Sequence, residues 1–87
     1  MEYQVINDES KQAVLRELIG QAETEHYSMT VTVQLAESLA KDSNTSPEAK
    51  SQYAQQAVNA ARRVRELTSQ IEKYHELYND LNHKKGD

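Results

Sequence analysis

The chain has 87 residues, no cysteine, 37% hydrophobic residues, a mean hydropathy of -0.90 and a formal net charge of -4. These values allow one domain at most, exclude disulfides and thiolate metal sites, and argue against general nucleic-acid binding. A chain this small and polar buries little core on its own, so self-association is the expected source of further stability. No stretch is apolar enough to span a membrane and no signal peptide opens the chain, so a cytoplasmic location is expected. The charge is unevenly placed: residues 1–45 carry eight acidic and three basic side chains, and residues 46–87 carry six acidic and seven basic.

Residues 1–7 begin with Met1 to Ile6, which has no helical period and reads as an extended arm with Tyr3 as its most informative residue. Asn7 or Asp8 can cap a helix that starts there, and Asp8 and Glu9 suit its first turn. The pattern is helical to about Lys41, with Leu15, Leu18, Ala22, Met29, Ala36 and Leu39 on a heptad-like seam. Ile19, Val33 and Ala40 widen that stripe. A helix over 8–41 would be about 50 Å long. Gly20 lies in its interior, where it permits a bend or close packing. Met29 to Leu35 also alternates with period two, as a strand would, but no turn residues flank it, so helix is the preferred reading.

Residues 42–46 (DSNTS) form the clear break. Ser46 before Pro47 supplies a cap and then a residue suited to the first helical position; Thr45 with Glu48 offers a capping box one register earlier. A second helix is predicted over 47–84, with residues 85–87 as a tail. Its seam is the strongest signal in the chain: Tyr53, Ala57, Ala60, Val64, Leu67, Ile71, Tyr74, Tyr78 and Leu81 advance in steps of four and three. The short loop folds the two helices into an antiparallel hairpin. The predicted fold is therefore all-α, a long two-helix hairpin with an N-terminal arm, assembling into a four-helix bundle or larger oligomer.

Four constellations could carry chemistry. Glu23–His26 and Glu72–His75 share the Glu-x-x-His spacing of carboxylate-bridged metal bundles. The heptad sets both glutamates outside the seam, and the hairpin is expected to keep them far apart at different heights, so solvated surface charge is the preferred reading. Arg62, Arg63 and Arg65 surround Val64; planar guanidinium groups suit phosphate, and ion pairing with the acidic first helix is the competing reading. Glu25 and Thr32 interrupt the first seam, and reflection about the loop sets Glu23 and Glu25 near the height of Arg62 and Arg65. Tyr74 and Tyr78 read as packing residues with wet hydroxyls, Tyr27 is ambiguous, and Tyr3 reads as edge packing or as an aromatic arm that closes over a ligand or neighbour. No nucleophile–base pair, Gly-rich phosphate loop or zinc pattern is present. No enzymatic activity and no cofactor are expected.

Tyr3, Ile6, Asn7, Glu9, Val14 and Leu18, in an arm, cap and helical hairpin, resemble the phage anti-CBASS proteins that sequester cyclic nucleotides. That resemblance implies a small oligomeric hairpin that captures a nucleotide without cleaving it, with Arg16 and Arg62 to Arg65 as the available cations. Leu39-Ala40-Lys41, the loop with Pro47, and Tyr53 are similar to type III secretion needle subunits and their small co-chaperones, which implies a helical protein as partner. The expected function is thus a non-enzymatic binding protein that self-associates and captures a partner. The candidates are a small anionic ligand such as a cyclic nucleotide, another helical protein, or a metal ion in the bundle.

Overall fold

The computed structural model describes residues 6–85. Two helices account for nearly all of them: α1, Asp8–Lys41, and α2, Pro47–Lys85. Residues 1–5, with Tyr3 and most of the expected arm, lie outside the described residues, as do 86 and 87 of the expected tail. α2 runs one residue beyond the predicted end, through Lys85. Among the described residues there is no strand, and no helix is long and apolar enough to cross a membrane.

Local chemistry sets the helix ends. Asn7 takes an extended backbone and its Oδ1 accepts from the Ser10 N–H at 2.8 Å, which satisfies one of the open donors of α1. Asp42 builds the turn: its carboxylate accepts from the Asn44 N–H at 2.9 Å and its carbonyl from the Thr45 N–H at 3.1 Å. Ser46 then caps α2, accepting from the Ala49 N–H at 3.2 Å. Of the two registers open to the sequence, Ser46 with Pro47 is the one used, because proline at the first position removes a donor that would otherwise need a partner.

The Met29–Leu35 stretch is helical throughout. The hydroxyls of Thr30 and Thr32 bond back to the carbonyls of His26 and Ser28 at 2.8 and 2.9 Å. This back-bonding lets threonine sit inside a helix despite its β-like alternation with valine. Gly20 passes without a break, and a methyl group placed on it would meet nothing within 4 Å.

The helices pack side by side as an antiparallel hairpin measuring 60 × 33 × 13 Å. All nine residues of the α2 seam are buried or half-buried. On α1, Leu15, Ile19, Ala22 and Ala36 are buried, while Leu18 and Met29 are half-buried and Leu39 is 40% exposed. The stripe of α1 is therefore centred through Ile19, one position from the expected Leu18, and Leu39 falls off its edge. Among the described residues, four of the seven buried apolar side chains are alanines (Ala22, Ala36, Ala57 and Ala60), and Leu67, at 1% exposure, is the best buried large residue. The core is thin and concentrated where Leu15, Ile19 and Leu67 lie.

Shape amplifies that thinness. The radius of gyration is 19.2 Å, against about 12 Å for a compact domain of this length. The accessible surface is 6866 Å², against about 5,200 Å² for a compact monomer of this mass.

Candidate functional site

Two side chains define the middle of the hairpin. Glu25 of α1 and Arg63 of α2 join through Arg63 Nε to Oε2 at 2.6 Å and Arg63 Nη2 to Oε1 at 2.9 Å. This is the fork-to-carboxylate geometry that arginine favours. Arg63 also lies 3.5 Å from Glu66, three residues on. The Arg63 hydrogen bond holds the Glu25 carboxyl below its usual range against the opposing effect of desolvation, with the Arg63 charge adding a lesser lowering. The same bond raises Arg63 further above its already high value. The polar interruption of the α1 seam at Glu25 thus meets its complement on α2. Thr32, the other interruption, spends its hydroxyl on its own helix.

This pairing separates the arginines. Arg63 faces the hairpin, whereas Arg62 and Arg65 are exposed on α2. Arg16 lies elsewhere, in a groove of about 170 Å³ with Ile19, His75 and Tyr78. His75 is thirteen positions beyond Arg62, roughly 20 Å along the helix axis. The structure therefore brings Arg16 to His75 and Tyr78 and does not bring it to the Arg62–Arg65 group. Tyr3 lies outside the described residues.

Glu23, His26, Thr68, Ile71 and Glu72 share one groove of about 330 Å³, where His26 Nε2 lies 3.2 Å from Thr68 Oγ1. This corrects the expectation that Glu23 and Glu72 lie far apart. The physical reason is that the two faces of the hairpin pair in different registers: Glu25 meets Arg63, but the adjacent His26 meets Thr68, five positions further along α2. Simple reflection about the loop therefore misplaces which side chains meet. Even so, no group of three or more His, Asp or Glu side chains among the described residues is placed to hold a metal ion.

A groove of about 610 Å³ lies at the open end of the hairpin. Leu15 and Leu81 form its less exposed part, and Ile6, Val14 and Leu77 lie along it at 77%, 52% and 53% exposure. Lys11 of α1 and Asp80 of α2 contribute one charge of each sign. The seam positions alone do not reveal this groove, because Val14 and Leu77 sit one position off the seam residues Leu15 and Tyr78. The signal available in the sequence is the pairing of a seam residue with an apolar neighbour at both places. Such a doublet makes the stripe wider than one partner helix can cover.

No family model matches the chain, and no curated protein and no solved structure matches it either.

Proposed function

We propose that this chain is a non-enzymatic helical-hairpin binding protein that works by self-association. The observation that carries this reading is the mismatch between surface and core. The hairpin exposes 6866 Å², about 1,700 Å² more than a compact chain of its mass would. A standard interface removes about 800 Å² from each partner, so the surplus suffices for one such contact with area left over. The doublets that widen the stripes, and the four alanines among the seven buried apolar side chains of the described residues, give the exposed apolar residues a purpose that a monomer does not. Melting followed by circular dichroism over a hundredfold range of concentration tests this. An associating hairpin melts at a higher temperature when more concentrated; a melting temperature independent of concentration contradicts self-association and leaves the apolar surface to a different helical protein.

A second reading, capture of a small anionic ligand such as a cyclic nucleotide, is favoured by one observation. Arg16, His75 and Tyr78 line a common groove, which offers a guanidinium for phosphate and an aromatic ring for a base. Arg63 contributes less to this reading, since it is engaged by Glu25. A thermal shift with cyclic nucleotides that disappears in Arg16→Ala supports it, and the absence of any shift counts against it.

A further inference from the structure

We infer that the open-end groove is a two-fold interface, and that its occupant is the same groove of a second copy of this chain. The inference rests on the self-association proposed for the chain and names the surface that performs it.

The groove carries its own complement. Lys11 and Asp80 both line this concavity, the first from α1 and the second from α2. Neither side chain has an ion-pair partner among the described residues. A two-fold axis running along the groove, between the helices, lays α1 of each copy over α2 of the other. Lys11 of one copy then faces Asp80 of the second, and the same pair forms again by symmetry. Each α1 meets the opposing α2 antiparallel, which is the neighbour relation of a four-helix bundle. A uniformly acidic or basic partner would instead meet one like charge, and like charges brought together at an interface are strongly unfavourable.

Apolar chemistry agrees. Ile6, Val14 and Leu77 are among the most exposed large hydrophobic residues of the hairpin. All three line this groove, beside the buried Leu15. Facing a second copy, they cover one another across the axis and extend the core beyond Leu15.

Charge reversal separates this arrangement from its alternatives. Lys11→Asp and Asp80→Lys are made singly and their masses followed by sedimentation against concentration, with circular dichroism on the same samples. In each single variant the symmetric pairs become repulsive, and the dimer dissociation constant rises about tenfold or more. An equimolar mixture of the two variants recovers the dimer, now with one copy of each, because both cross pairs are again opposite in sign. Recovery of helical signal together with dimer in the mixture gives the same answer should the lone variants unfold. If the single variants dimerise as tightly as the wild type, or the mixture stays monomeric, the groove is not the interface although self-association stands. If the wild type itself is monomeric, the self-association reading fails as well.

Discussion

Glu25 and Arg63 are 38 positions apart and meet as a two-pronged ion pair, with nitrogen–oxygen distances of 2.6 and 2.9 Å, at the middle of the hairpin. Their contact is made only in this register of α1 against α2, because sliding either helix by a turn separates them. It also places the one charged interruption of the α1 seam where it is satisfied.

That pair gives stability a pH dependence. The Glu25 carboxyl is held below its ordinary range when folded. Its contribution is therefore fully present above the ordinary carboxylate range and is lost as pH falls through the lowered folded value. Comparing wild type with Glu25→Gln by urea unfolding is expected to show a difference at neutral pH that shrinks in acid. Both residues are partly exposed, so the effect should be modest and salt-sensitive. A double-mutant cycle of Glu25→Ala and Arg63→Ala should be non-additive, with the double variant losing less than the sum of the singles.

Leu67 is 1% exposed and is the largest fully buried side chain among the described residues. Leu67→Ala is expected to cost about 2–5 kcal/mol in chemical unfolding, a large share of what a small domain has. A cost comparable to that of an exposed-residue substitution would contradict the placement of the core.

Gly20 works in the other direction. It lies inside α1, and an added methyl group meets nothing within 4 Å. Gly20→Ala should stabilise the hairpin by roughly 0.5–1 kcal/mol through the better helix propensity of alanine. The groove assigned to self-association does not include Gly20, so this gain should appear without a change in oligomer mass.

The two caps are separable. Asn7→Ala and Ser46→Ala each remove a side-chain acceptor from an open helix donor. Each should cost about 1 kcal/mol in unfolding. Hydrogen exchange should place the first loss in the opening turn of α1 and the second in the opening turn of α2.

Much of the fold is legible in the sequence because it depends on local rules. The heptad steps from Tyr53 to Leu81, the Ser46-Pro47 start and the Asn7 cap each act within a few residues, and together they dictate a two-helix hairpin. Which residues meet across the hairpin is less legible, since the two faces of the helix pair meet in different registers. Loop reflection brings Glu25 to the arginine group but sets Glu23 too far from Glu72. The α1 stripe is ambiguous for a similar reason: Leu18 and Ile19 are adjacent apolar residues, and only packing against α2 decides that Ile19 is buried. The open-end groove is hidden because Val14 and Leu77 lie off the seam and become neighbours only when the hairpin closes.

A single hairpin with so thin a core is expected to be incomplete until it pairs with another. Sedimentation equilibrium of the unmodified chain at micromolar concentration decides whether it does. Self-association predicts a mass at least twice the 9.9 kDa of a single chain. A single species at 9.9 kDa across the whole concentration range would contradict it.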